Sequence, residues 1–214
     1  MIGVDEAGKG AVVGSMFVSA VEFDADFGVP DSKRLSVEER ETLAERVRDL
    51  CKVAVVEVPP NEIDSYVADG GMNDLMVEAH GRALNALDAS GAVVADASDV
   101  SADRFARRLS ERADDGYDVS AEHGADERYD AVGAASVVAK VERDAHIAGY
   151  DAGSGYPGDP ETVELETSDG RTIEYRRVVT FTFDLDGERD LAGYRQSLDD
   201  ETIFVPFRDK TTGQ

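Results

Sequence analysis

The opening of the chain, MIGVDEAGKGAVVGSMFVSAV, constrains the fold more than any other stretch. An apolar run ends in two adjacent acids, Asp5 and Glu6. A Gly-rich turn with one cation, Ala7-Gly8-Lys9-Gly10, leads at once into a second apolar run. Their Val, Met, Phe and Ala content makes residues 1–5 and 12–23 read as strands. Strands joined this closely pair antiparallel, because a parallel pair needs a crossover of about a dozen residues or more.

Downstream, strands alternate with helices. Ser36 with Glu39 three residues later forms a capping-box pattern, and Val37, Leu43, Val47 and Leu50 then supply one apolar helix face. CKVAVVEVPP (51–60) reads as a strand stopped by Pro59 and Pro60. Residues 72–91 read as a helix capped near Asn73, AVVAD (92–96) as a short buried strand, and 101–113 as a helix. Residues 117–123 read as a strand and 130–150 as a helix with a small apolar face. The alternation predicts an α/β fold. With the antiparallel opening, the sheet is mixed and flanked by helices. Near residue 158 the character changes. TVELETSDGRTIEYRRVVTFTFDLDG alternates with period two around Asp169-Gly170, a β-hairpin signature. The reading divides the chain into a catalytic domain, 1–162, and an acidic β-rich tail, 163–214.

Two adjacent carboxylates at the end of a buried strand call for an explanation, but the chain is acidic throughout. It carries 46 acids against 22 bases, a formal charge of −24 over 214 residues. Taken alone, that charge argues against nucleic-acid binding, which needs positive potential. The acids, however, are spread over the whole length; Arg outnumbers Lys 17 to 5, and Trp is absent. This composition suits a salt-saturated cytoplasm, where screening acts over a few ångströms. The net charge then says little about partners. Cys51 is the only cysteine, so no intrachain disulfide is expected and a reducing, cytoplasmic setting is. No signal-peptide pattern opens the sequence, and no apolar stretch approaches the ~18 residues of a membrane span.

Asp-Glu pairs recur by chance at Asp126-Glu127 and Asp200-Glu201, so position has to discriminate. Asp5 and Asp96 both end buried strands, the place where α/β sheets bind ligands. Carboxylates converging there repel one another unless a cation lies between them, and hard divalent ions take oxygen ligands. From spacing alone the acids read either as a metal site or as the solvated acids of a halophile. Gly3-x4-Gly8-Lys9 nearly matches a phosphate-binding loop, but Gly10 stands where Ser or Thr is required.

GVDEAGKG followed by GSMFVSAV closely resembles the opening motif of type 2 ribonucleases H. Further blocks follow in that family's order: DSKRLS (31–36), MNDL (72–75), VVADASDV (93–100), AEHGADERYDAVGAASVVAKVERD (121–144) and GSGYPGDPET (153–162). The flavour is archaeal, and the acidity points to a haloarchaeon. The resemblance implies a ribonuclease H-like sheet and a Mg²⁺- or Mn²⁺-dependent endoribonuclease. Such an enzyme cuts RNA hybridised to DNA, or a single ribonucleotide in duplex DNA, leaving 3′-OH and 5′-phosphate ends. It also implies roles. Asp5, Glu6, Asp96 and Asp126 match the catalytic, metal-binding carboxylates. Gly8-Lys9-Gly10 matches the segment that reads the ribose 2′-OH, and Tyr156 the tyrosine that stacks on the neighbouring sugar. Lys33 and Lys140 match basic positions near the site. A monomer is expected.

The remaining candidates read as structural. His123 reads as a solvated loop residue rather than a proton shuttle, and His80 and His146 as structural or exposed helix residues. Asp99 reads as a helix-entry cap, and Arg104, Arg107, Arg108 and Arg112 as an exposed face with charge pairs. Two departures from the family stand out. Ala11 and Ser15 fill positions where the opening motif usually has Pro. Residues 163–214 lack the helices and the Arg-Ser-Trp-like segment that help to grip the duplex. A ribonuclease H-like shell that binds without cutting is therefore the alternative.

Overall fold

The computed structural model describes residues 1–11, 13–68, 71–148, 153–156 and 159, together with the backbone of four strands between residues 164 and 206. The chain forms two compact units. One comprises residues 1–8, 16–58 and 73–143, the other residues 9–15, 59–72 and 144–214.

The first unit is built on β1 (Ile2–Ala7), β2 (Met16–Glu22), β3 (Lys52–Val58), β4 (Gly91–Asp96) and β5 (Tyr117–Glu122). They form one sheet in the order β3-β2-β1-β4-β5. β1 pairs antiparallel with β2, and β2 with β3, whereas β1–β4 and β4–β5 are parallel. The mixed sheet is the predicted one, with β1 at its centre. β1 runs two residues further than the sequence suggests, because Glu6 pairs with Val18 and Ala7 with Phe17.

Among the described residues the α-helices are α1 (Val37–Leu50), α2 (Pro60–Ala68), α3 (Met72–Ala86), α4 (Ala102–Ser110) and α5 (Asp130–Ala148). Short 3-10 turns span Ser32–Arg34 and Ala125–Glu127. The Ser36–Glu39 capping box forms as predicted: Ser36 Oγ accepts from Glu39 N at 3.2 Å, and Ser36 N donates to Glu39 Oε2 at 2.8 Å. The predicted apolar face of α1 is only partly used. Ala44 and Val47 are buried, whereas Val37 and Leu50 at its ends stay exposed.

Val21 of β2, Ala44 and Val47 of α1, and Ala134, Ala135, Val137 and Val138 of α5 form one buried cluster. Small residues let α5 lie very close to the sheet. A Cβ at Gly3 would stand 2.1 Å from the Ala131 carbonyl carbon, so only glycine fits there. Gly3 is thus a paired strand residue facing Val21. The near match to a phosphate-binding loop is therefore accidental, since that loop needs its first glycine in a turn between strand and helix.

In the second unit, Pro60 opens α2. The sequence presented it only as a strand stop, but proline also suits the first helical position, where no amide hydrogen is needed. Four strands, β6 (Glu164–Glu166), β7 (Thr172–Val178), β8 (Gly193–Leu198) and β9 (Glu201–Pro206), form an antiparallel sheet in sequential order. β6 and β7 make the expected hairpin. Its Asp169-Gly170 turn lies outside the described residues. Among the described residues no helix is long and apolar enough to cross a membrane.

Candidate active site

Parallel pairing decides where the acids go. Val4 of β1 pairs with Ala95 of β4, so the next residues, Asp5 and Asp96, reach the same level of the sheet. Asp96 then shapes the loop beyond β5. Its Oδ1 accepts from Gly124 N at 2.8 Å and from Ala125 N at 3.2 Å. Gly124 has φ of 64°, a left-handed conformation that glycine adopts without strain. The turn that follows carries Asp126. One oxygen from each of Asp5, Asp96 and Asp126 lies within 4.8 Å of the other two.

This cluster is under electrostatic stress. Asp5 and Asp126 are buried. Burial, then the nearby Glu6 and Asp96 carboxylates, pushes the Asp5 carboxyl well above the usual carboxylate range, against the pull of Ser136 and Lys140. Burial also raises Asp96, and the charges of Asp126 and Glu6 add to it, while the Ala125 and Gly124 amides oppose it. Asp126 Oδ1 is buried with no hydrogen-bond partner among the described residues. Three converging carboxylates with one buried oxygen left over form a donor set that fits a hard divalent cation.

Two lysines border the cluster. Lys33 Nζ lies 3.1 Å from Asp126 Oδ2 and 3.1 Å from Glu127 Oε1. Hydrogen bonds to both carboxylates push the Lys33 ammonium above its ordinary range. Lys140 Nζ donates to Ser32 Oγ at 2.7 Å and to Ser136 Oγ. The 3-10 turn of the DSK segment is thereby tied to α5, beside Asp5.

The fourth expected carboxylate, Glu6, is outside the group of three, although its charge acts on Asp5 and Asp96. Successive strand residues face opposite sides of a sheet, so Glu6 turns away from Asp5. Its Oε2 lies 3.3 Å from His80 Nε2, and its Oε1 accepts from Ser98 Oγ. His80, expected to be structural or exposed, is fully buried on α3. Neither His80 nor Ser98 belongs to a recognisable spacing pattern, although Ser98 follows Asp96 by two residues.

The other expected positions lie as follows. Gly8, in the first unit, has φ of 99°; Gly10, in the second, has φ of 76° with nothing within 4 Å of a built Cβ. Lys9 between them is exposed. Tyr156, also in the second unit, is half-buried in a turn whose carbonyl accepts from Asp159 N at 3.0 Å. His123 is exposed, and Ser15 N donates to His146 Nε2 at 3.3 Å. Asp99 Oδ1 accepts from Ser101 N at 3.3 Å as α4 begins, and its carboxylate is gripped by Arg104. Arg108 pairs with Asp74, and Arg112 lies 3.6 Å from Glu78. Of the four arginines expected to be charge-paired, Arg104 and Arg108 on α4 and Arg112 just beyond it have acidic partners.

The sequence profile of the ribonuclease HII family matches residues 2–184. The chain belongs to the ribonuclease HII family. Ribonucleases HII from the halophilic archaea Natronomonas pharaonis and Halobacterium salinarum are each 51% identical to it over 173 residues. The matches cover 76% of this chain and 80% and 81% of those proteins. The first unit's sheet has close counterparts among solved structures. Ribonuclease HII of Archaeoglobus fulgidus, solved in complex with PCNA, superposes with a TM-score of 0.70 at 39% identity, covering 75% of this chain and 82% of that one. Ribonuclease H2 of Pyrococcus horikoshii superposes with a TM-score of 0.69 at 38% identity over the same shares. As a ribonuclease HII the chain is an endoribonuclease, a phosphodiester hydrolase acting on nucleic acid. Both of these relatives come from halophilic archaea, the setting that the acidic composition of this chain suits.

Proposed function

We propose that this ribonuclease HII hydrolyses the RNA strand of RNA–DNA hybrids, and single ribonucleotides in duplex DNA, leaving 3′-OH and 5′-phosphate ends. The observation that carries this reading is the Asp5–Asp96–Asp126 cluster, in which Asp5 and Asp126 are buried and one Asp126 oxygen has no hydrogen-bond partner among the described residues. Mg²⁺ or Mn²⁺ is the cofactor that this oxygen-only donor set favours. Asp5, Asp96 and Asp126 would hold it, and Glu6, outside that group but with its charge acting on Asp5 and Asp96, would be the fourth catalytic carboxylate. A divalent ion held by these residues would supply positive charge for the scissile phosphate and would lower the pKa of a water.

The chain's own residues do the positioning, which is most of what phosphoryl transfer asks of a protein. Asp96 sets the 123–127 loop through its contacts with Gly124 and Ala125, and so places Asp126. Lys33 restrains the other Asp126 oxygen. Lys140 and Ser136 offset part of the charge on Asp5. In Gly8-Lys9-Gly10, the lack of side chains at Gly8 and Gly10 would let the ribose 2′-OH, the group by which RNA differs from DNA, approach the backbone. Tyr156 stacks on the neighbouring sugar. The protein works as a cytoplasmic monomer, with residues 1–162 as the catalytic domain and 163–214 as a tail.

The test is a DNA duplex with one embedded ribonucleotide, incubated in molar KCl with Mg²⁺ or Mn²⁺ beside an Asp96→Asn control. A cut 5′ to the ribonucleotide that the control lacks supports the reading. A folded protein that cuts with neither metal would sink it and leave a binding shell.

A further inference from the structure

We propose that Lys140 is a positioning residue: through two buried serines it fixes both Asp5 and the turn that delivers Lys33 to Asp126, and it does not touch the phosphates of the substrate. The inference rests on the reading of Asp5 and Asp126 as catalytic carboxylates.

The hydrogen bonds have a fixed direction, because an ammonium donates and never accepts. Lys140 Nζ lies 2.7 Å from Ser32 Oγ and also bonds Ser136 Oγ, so both hydroxyls accept from it. Two of its three hydrogens are thereby taken up within the protein. Ser32 and Ser136 are both buried, and their oxygens lie 3.3 Å apart. Each hydroxyl still has its own hydrogen to give. Ser136 bonds the Asp5 side chain, and towards an ionised carboxylate, which only accepts, it is the donor. Ser136 and Lys140 stand four residues apart on α5, so they share one face of the helix. Lys140 thus orients Ser136, and Ser136 orients Asp5.

Ser32 carries the second arm. It opens the Ser32–Arg34 turn, which Asp31 caps by accepting from Lys33 N at 3.0 Å. Just before the turn, Val29 N donates to Asp130 Oδ1 at 2.8 Å, at the first residue of α5. The segment is therefore tied to α5 on both sides of Asp31, by Asp130 and by Lys140. From this turn Lys33 reaches Asp126 Oδ2 at 3.1 Å. The Lys33 side chain is exposed, whereas Lys140 is half-buried with its ammonium turned onto the serines. A single ammonium so links Asp5 on β1 with Asp126 in the turn beyond β5. Partners that orient ligating carboxylates typically change metal affinity or activity by about 10–100-fold when removed.

The test uses the full chain in molar KCl, with folding of each variant checked by circular dichroism. Affinity for a labelled DNA duplex with one ribonucleotide is measured by fluorescence anisotropy, with EDTA in place of metal. The single-turnover cleavage rate of the same duplex is measured with Mn²⁺. Lys140→Met keeps the length of the side chain and removes its donors. It should slow cleavage about 10–100-fold and leave duplex affinity at the parent's value. In molar salt, charge acts over only about 3 Å, so affinity reports direct contact. A lysine bonded to a phosphate would instead lose about tenfold or more in affinity. Ser32→Ala together with Ser136→Ala removes both acceptors and should slow cleavage in the same way. Adding Lys140→Met to that pair should bring no further loss, because Lys140 acts through the two serines. Weaker duplex binding by Lys140→Met, cleavage at the parental rate, or losses that add in the triple variant would each overturn the proposal. If Lys140→Met does not fold, the serine pair decides, and parental cleavage by that pair overturns the proposal. A parent that cleaves with neither Mn²⁺ nor Mg²⁺ sinks the reading of the site itself, while the affinity measurement still decides whether residue 140 touches a phosphate.

Discussion

Gly3 and Ala131 bring the backbones of β1 and α5 so close that a Cβ on residue 3 would lie 2.1 Å from the Ala131 carbonyl carbon. The same helix carries Ser136 and Lys140, which moderate the charge on Asp5. Gly3→Ala must therefore push α5 off the strand. The expected loss is about 1–3 kcal/mol, the usual range for overpacking. Cleavage should fall beyond what the lost folded fraction explains, since the partners of Asp5 move as well. Chemical denaturation at fixed KCl, with activity measured under conditions where the variant is folded, checks both parts.

Asp96 has two jobs that substitution can separate. Asp96→Asn keeps an oxygen to accept from Gly124 and Ala125, so the loop should hold and the protein should melt close to the parent. Asp96→Ala leaves those two amides without their acceptor. It should be less stable by about 1–3 kcal/mol. Neither variant should cleave. Equal stability of the two would show that the loop is held by something else.

The raised Asp5 carboxyl makes a signed prediction about pH. A carboxyl whose folded value lies above its unfolded one favours the fold while protonated, and that contribution is lost as pH rises through the folded value. Without divalent ions, melting temperature should thus fall as pH is raised from the ordinary Asp range towards neutrality. Asp96, shifted in the same direction, adds to the fall. Asp5→Asn should flatten the profile and, at neutral pH, melt higher than the metal-free parent; for a chain of this size each ~1 kcal/mol would read as about 2–4 °C. Mg²⁺ should raise the parent's melting temperature and leave Asp5→Asn nearly unmoved. A metal-free profile identical for parent and variant would refute this.

Salt should act on both fold and substrate encounter. A formal charge of −24 repels itself and the phosphates of a duplex. Screening lengths shrink from roughly 10 Å at 0.1 M to about 3 Å at 1 M. The protein should be folded and active in molar KCl and lose both properties on dilution, followed by circular dichroism and cleavage of the same duplex. Equal activity in dilute buffer would contradict the expectation.

The strands of the first unit and their mixed arrangement could be read from the sequence because period-two runs and a tight first turn leave few alternatives. Asp5 and Asp96 were readable for the same reason, as strand ends. What the sequence hid is directional. Glu6 adjoins Asp5 in the chain yet faces the other side of β1, towards Ser98 and His80. His80 lies on a buried helix face beside Met76 and Ala79, where a histidine carries no spacing signal of its own. α2 was missed because Pro60 ends one pattern and starts another. Gly3 looked like part of a phosphate loop because a glycine needed for close packing and one needed for a turn are the same letter.

The central place of β1 also bears on how the chain is made. β1, β2 and β3 are complete by residue 58, but β4, the other neighbour of β1, begins only at residue 91. During synthesis β1 is therefore an open sheet edge until some ninety residues have emerged, and open edges invite pairing with other chains. Asp5 and Glu6 lie on that edge. The acids that later crowd together as the candidate metal cluster are, in the nascent chain, the charges that discourage it from joining a stranger's sheet.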